Sequence, residues 1–138
     1  MTSDPRFCLT SETASDAARL MKSEDVGPIP IVDDRQTRVL KGIVTDRDLV
    51  LKVMAEGLAP KTTLLADVMT TDVTTCRADD DADKAIELMQ EHQVRRIPIV
   101  DGNTRLVGII SQADVATRVD EPDKTAEVVE EISKAASN

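Results

Sequence analysis

Tryptophan and tyrosine are absent from the chain, and phenylalanine occurs once, as Phe7. Proteins that grip single-stranded nucleic acid stack its bases on aromatic rings, so that mode of binding is excluded. The formal charge of −9 argues further against DNA or RNA, whose phosphates call for a basic surface. Cysteine is scarce as well: Cys8 and Cys76 are the only two, and no Cys-x-x-Cys occurs. Neither a disulfide framework nor a zinc ribbon is therefore indicated. No apolar run approaches the roughly 18 to 20 residues that span a bilayer. The opening "MTSDPRFCLT" lacks the basic start and apolar core of a secretory signal. A cytoplasmic location with no membrane partner is expected.

Catalytic signatures are missing too. There is no P-loop, GxGxxG, nucleophile elbow or HExxH. The sole histidine, His92, sits near the end of an expected helix, where a cation is mildly favourable. Asp79, Asp80, Asp81 and Asp83 suggest calcium, but an EF-hand counted from Asp79 would need glycine at Lys84 and glutamate at Gln90. A solvated acidic helix start is the better reading. No metal and no enzyme is expected.

What is present is a repeat. A shift of 68 aligns Met1-Thr2 with Met69-Thr70, Cys8 with Cys76, Leu20-Met21 with Leu88-Met89, and "IPIVD" at 29–33 with 97–101. Past a turn two residues longer in the first copy, the shift becomes 66, pairing Leu40, Gly42, Ile43, Asp48 and Val53 with Leu106, Gly108, Ile109, Asp114 and Val119. Coincidences in one register, broken only at a turn, mean duplication. Two copies are too few for an open solenoid, so a closed pair is expected.

Each copy spells helix, strand, turn, strand, helix, with a short extended piece around the cysteine. Thr13 and Asp81 are N-cap residues, with Asp16 three positions after Thr13. Behind them "ASDAARLM" and "ADKAIELM" place apolar residues at helical spacing. The prolines of "IPIV" are expected near a strand start. The expected layout is a first motif over 1–57, a connection over 58–68, a second motif over 69–119 and a terminal amphipathic helix over 120–138. Nothing like "LLADV" precedes Met1, so the first copy begins partway into the pattern.

Both copies carry the string hPIVD followed by Gly-h-h-[Ser/Thr]-x-x-Asp, written "GIVTDRD" (Gly42 to Asp48) and "GIISQAD" (Gly108 to Asp114). These residues resemble the CBS domain, nearly always found as a tandem pair, the Bateman module. The resemblance spans residues 1–119. More narrowly, "TDRDLVLKVMAEGLAP" and "EHQVRRIPIV" resemble small stand-alone bacterial CBS-pair proteins of the hypoxic response type. The resemblance implies an α/β (α+β) fold in which two βαββα repeats pack about a pseudo-twofold axis and leave two clefts. It also implies homodimers and, in many members, an adenosine-containing ligand: AMP, ADP, ATP or S-adenosylmethionine. Some stand-alone members bind none, so the ligand does not follow from the fold. With no second domain in the chain to regulate, any signal would pass to a separate effector protein.

The candidate site follows from residues and resemblance together. Thr45-x-x-Asp48 and Ser111-x-x-Asp114 have the spacing of a capping box, worth about 1 kcal/mol at a helix start. A carboxylate can also accept hydrogen bonds from both hydroxyls of a ribose, the role the resemblance gives this Asp. Arg95 and Arg96 are a solvated rim by default. Yet the guanidinium fork suits phosphate, and related modules place basic residues there. The first copy has Gly27-Pro28 instead, so two unequal clefts are expected, with phosphate favoured where the arginines face. Ile29, Ile31, Ile97 and Ile99 are core residues by default and adenine walls by resemblance. Thr10 and Thr75, beside the cysteines, often line the cleft in relatives. The cysteines themselves read as packing. Finally, Leu49, Val50, Leu51, Val53 and Met54 are apolar around more than one stripe, so that helix asks for burial on two sides, one of them from a partner copy.

Overall fold

The computed structural model describes residues 3–114, and the expected C-terminal helix lies outside them. Its described residues form two compact units, Arg6–Val73 and the described part of Met1–Pro5 with Thr74–Asn138. Each is a three-stranded mixed sheet with helices, in the same order.

In the first unit β1 (Cys8–Leu9) leads through α1 (Ala14–Glu24) to β2 (Ile29–Val32), which lies parallel to it. A turn then returns the chain as β3 (Leu40–Val44), antiparallel to β2, giving the sheet order β1-β2-β3. The second unit repeats this with β4 (Cys76–Arg77), α4 (Ala82–His92), β5 (Arg96–Val100) and β6 (Leu106–Ser111), ordered β4-β5-β6. Duplication reaches fine detail: the register slips at Ile31/Val32 in one copy and at Ile99/Val100 in the other.

The α1 N-terminus carries the expected capping box. The Thr13 hydroxyl accepts from the Asp16 N–H at 3.3 Å, and the Asp16 carboxylate accepts from the Thr13 N–H at 3.0 Å. Asp81 caps α4 by accepting from the Lys84 N–H at 3.0 Å. Both helices stop at a left-handed residue, Asp25 and Gln93, each with φ 54°. The buried faces hold Ala14, Ala17 and Met21 in α1 and Ala85, Ile86 and Met89 in α4. Ala18 and Ala82, which share the helical spacing, are exposed.

The prolines lie near the starts of their strands, as expected. Pro30 is the second residue of a central strand and Pro98 the third, so neither simply opens its strand. They are tolerated because the parallel ladder begins one residue later, at Ile31↔Cys8 and Ile99↔Cys76. The missing N–H falls where that neighbour has not yet arrived.

The connection between copies is not a loose tether. Leu65 and Val68 of α3 (Leu65–Val68) are buried in the first core beside Cys8, Ile29, Ile31 and Val53. Beyond them Thr70 joins the free edge of β3: its N–H donates to Ile43 O at 2.8 Å, and its carbonyl accepts from Ile43 N–H at 2.9 Å. This close approach requires Gly42, since a β-carbon there would lie 2.7 Å from Thr70 O.

After β3 comes α2 (Asp46–Leu49), continued by a π-type stretch, Val50–Met54. Here the Ala55 N–H reaches back five residues to Val50 O at 2.8 Å. Val53 is buried and Leu49 packs against the core, while Val50, Leu51 and Met54 are 51%, 47% and 72% exposed. One of the two expected burials is met within this chain.

Candidate functional site

Each Gly-h-h-[Ser/Thr]-x-x-Asp string places its acid at the junction of hairpin and helix. In the first copy Thr45 caps α2: its hydroxyl accepts from the Asp48 N–H at 3.1 Å, and Asp48 Oδ2 accepts from the Thr45 N–H at 2.9 Å. The other Asp48 oxygen, Oδ1, lies 3.4 Å from Lys52 Nζ, which also donates to Val68 O at 3.1 Å. Lys52 thus links the acid to α3. The lysine is nearly half exposed, so the pair contributes well under 1 kcal/mol to stability. Its importance is occupancy: Asp48 Oδ1 is already engaged by Lys52.

In the second copy Asp114 Oδ2 accepts from the Ser111 N–H at 2.9 Å and from its hydroxyl at 3.1 Å. The Asp114 N–H donates back to Ser111 Oγ at 3.2 Å. Partial burial pushes the carboxyl upward. Hydrogen bonds from the Ser111 backbone and side chain hold it below the usual carboxylate range.

Around this acid the hairpin adds charge. Arg96 is the cross-strand partner of Ser111, and the Gln112 N–H donates to Arg95 O at 2.9 Å. Both arginines are exposed, and among the described residues neither is in an ion pair. The first copy differs physically, not only in charge. Pro28 has no N–H, and the β2–β3 ladder ends at Ile29↔Val44. The β5–β6 ladder runs one pair further, to Arg96↔Ser111, which fixes the arginine backbone beside the helix start.

The remaining candidates are placed as follows. Ile29, Ile31, Ile97 and Ile99 are all buried, two in each motif's core. Thr10 follows β1, its N–H donating to Val32 O at 3.1 Å and its carbonyl accepting from the Ala66 N–H at 3.1 Å. Thr75 precedes β4, so the two threonines do not occupy matching places. Cys8 and Cys76 are buried, and burial pushes the Cys8 thiol from 9.0 up to about 12 and the Cys76 thiol upward too. The sequence reading passed over Lys52, although its four-residue spacing from Asp48 signals a helical ion pair.

This repeated sheet with its capped acid defines a small duplicated α/β fold, and comparison with known proteins gives it a family. The CBS domain pattern matches residues 1–55 and 65–121. The chain belongs to the CBS-domain family. It is 37% identical over 110 residues to hypoxic response protein 1 of Mycobacterium tuberculosis, covering 80% of this chain and 75% of that one. The crystal structure of that kind of protein, hypoxic response protein I with two coordinated zinc ions, superposes with a TM-score of 0.75 at 34% identity, covering 86% of this chain and 94% of that one. Among the described residues here, no three His, Cys, Asp or Glu side chains cluster as metal ligands would. CBSX2 of Arabidopsis thaliana in complex with AMP gives a TM-score of 0.71 at 27% identity, covering 85% of this chain and 90% of that one. A Methanopyrus kandleri protein is 36% identical over 124 residues, and this chain spans 61% of its length and matches over 90% of its own.

Proposed function

We propose that this is a regulatory CBS-pair protein without catalytic activity of its own. It takes up an adenosine-containing ligand (AMP, ADP, ATP or S-adenosylmethionine) and passes the signal to a separate effector protein. The observation that carries this reading is the second motif's junction, where Arg95 and Arg96 stand across the hairpin from Ser111 and its bonded Asp114. In this reading Asp114, and Asp48 in competition with Lys52, accept the ribose hydroxyls. Arg95, Arg96, Thr45 and Ser111 serve phosphate. Ile29, Ile31, Ile97 and Ile99 have their side chains committed to the cores, so their strands offer adenine backbone groups, with Thr10 and Thr75 nearby. The AMP complex of CBSX2 supports the ligand class. The non-catalytic part rests on buried thiols and on His92, exposed on the last turn of α4.

A second reading, an interaction dimer that needs no ligand, is favoured by the uncovered apolar residues Val50, Leu51 and Met54. Calorimetric titration with AMP, adenosine and S-adenosylmethionine decides between them. Binding of AMP that falls on the order of tenfold or more in Arg95→Ala/Arg96→Ala, with adenosine little changed, is the expected result. No heat with any of the three ligands would overturn the ligand reading and leave the interaction dimer.

A further inference from the structure

Val68 ends α3, so its carbonyl is one of those that a helix leaves without a partner of its own. Lys52 meets it: the ammonium donates to Val68 O at 3.1 Å while lying 3.4 Å from Asp48 Oδ1. A second tie lies two residues on, where Thr70 and Ile43 exchange both backbone hydrogen bonds, at 2.8 and 2.9 Å. Ile43 is in β3, which leads through Thr45 into α2, and Asp48 Oδ2 accepts from the Thr45 N–H at 2.9 Å. These contacts close a ring that runs from Ile43 through Thr45, Asp48, Lys52, Val68 and Thr70 back to Ile43. The Asp48 side chain is 15% exposed and that of Lys52 44%, so the weak member of the ring is the lysine, which can swing into water.

We propose that Lys52 is a coupling residue, through which the Asp48 carboxylate and the pairing of Thr70 with β3 depend on each other. One ammonium serves two acceptors, and only the carboxylate carries a charge. When that charge is removed, or a competing donor draws the carboxylate away, the ammonium loses the partner that holds it over Val68 O. The carbonyl then turns to water, and the Thr70 bridge beside it opens more readily. Coupling is reciprocal, so loosening Thr70 also loosens Asp48. The bridge lies where the connection ends at Val68 and the second copy's sequence begins at Met69, so a change at the acid reaches the junction of the copies. As an account of signalling this rests on the adenosine reading above; as a coupling it is a property of the chain alone.

The test is amide hydrogen exchange on the full chain, read at Thr70 and Ile43, in a double-mutant cycle of Asp48→Asn and Lys52→Met. Asparagine still accepts from the Thr45 N–H, so the helix start is kept while the charge is lost. Asp48→Asn alone is expected to speed exchange at both amides about two- to threefold, the scale of a half-exposed helical ion pair. Lys52→Met is expected to speed it on the order of tenfold, because the charged hydrogen bond to Val68 O goes as well. Adding Asp48→Asn to Lys52→Met should then change little, and Lys52→Arg should keep most of the protection. Ile99, in the central strand of the second unit, is the control and should not move. No effect of Asp48→Asn at Thr70, an equal effect with and without Lys52, or equal acceleration at Ile99 would each overturn the inference. AMP is the second probe: where calorimetry shows it to bind, it should alter Thr70 exchange in wild type and not in Lys52→Met. Binding that leaves Thr70 unchanged would overturn the signalling role. No heat from AMP would overturn the adenosine reading alone and leave the coupling to the mutant cycle.

Discussion

Asp48 and Asp114 hold the third position of a helix start, and each closes a capping box there. Loss of the acid therefore costs helix stability, about 1 kcal/mol, whether or not a ribose is ever bound. Only a readout in ligand affinity, made in a folded variant, separates the two roles, which is why the exposed arginines are the better targets. Exposure alone is what a solvated rim would also show. Their register against Ser111 is the added fact. Acid pH probes the structural role: the Asp114 carboxyl is held low, so its stabilisation is present above the ordinary carboxylate range and is lost as pH falls through the depressed value. The cysteines give the opposite sign. With an ordinary thiol at 9.0 and the folded Cys8 at about 12, stability is intact below 9.0 and declines as pH rises toward 12. At mildly alkaline pH a disulfide reagent is expected to leave both thiols unreacted in the folded protein and to titrate two per chain in denaturant. Reaction in the native state at the rate of a free thiol would show that the β1 and β4 cysteines are not enclosed.

At the level of elements, the duplication made most of the fold readable. Thr13, Asp16 and Asp81 mark their helix starts through local hydrogen bonds, and the alternation of "IPIVD" with Gly42 and Gly108 marks the hairpins. Local chemistry is visible in sequence because donor and acceptor lie three or four residues apart. The rest depended on pairing at a distance. Nothing in "LLADVMT" announces that Leu65 and Val68 enter the first core or that Thr70 bonds Ile43. The π-type stretch at Val50–Met54 is a slip of backbone bonding that apolar periodicity does not encode. The tie from Lys52 to Val68 O became visible only once the connection was folded. Gly42→Ala tests the tie between β3 and the connection. Its methyl would meet Thr70 O at 2.7 Å and Met69 Sδ at 2.8 Å. Overpacking of this kind costs about 1 to 3 kcal/mol. Denaturant unfolding should show a lower midpoint at unchanged slope, and an unaltered midpoint would mean that the Thr70 bridge does not constrain the native state.

For the molecule as a whole, duplication supplied two copies of one scaffold, and a few substitutions at the hairpin–helix junction set them apart. Gly27, Pro28 and Asp46 stand against Arg95, Arg96 and Gln112 in a chain whose overall charge is −9. Against that acidic background two arginines that are in no ion pair among the described residues concentrate positive potential where the second motif's acid and hydroxyl lie. The first motif also carries the uncovered apolar residues Val50, Leu51 and Met54. Burial against a second copy would remove them from water at about 25 cal/mol per Å². Met54→Lys is expected to shift the chain from dimer to monomer in sedimentation equilibrium without lowering its thermal stability at high dilution. A monomeric wild type would assign that face to something other than self-pairing.

The most direct measurement is a titration of AMP into the isotope-labelled full chain, followed by backbone amide resonances. The account predicts saturable shifts at Arg96, Ser111 and Asp114. Shifts absent from that junction, or confined to Val50–Met54, would contradict it.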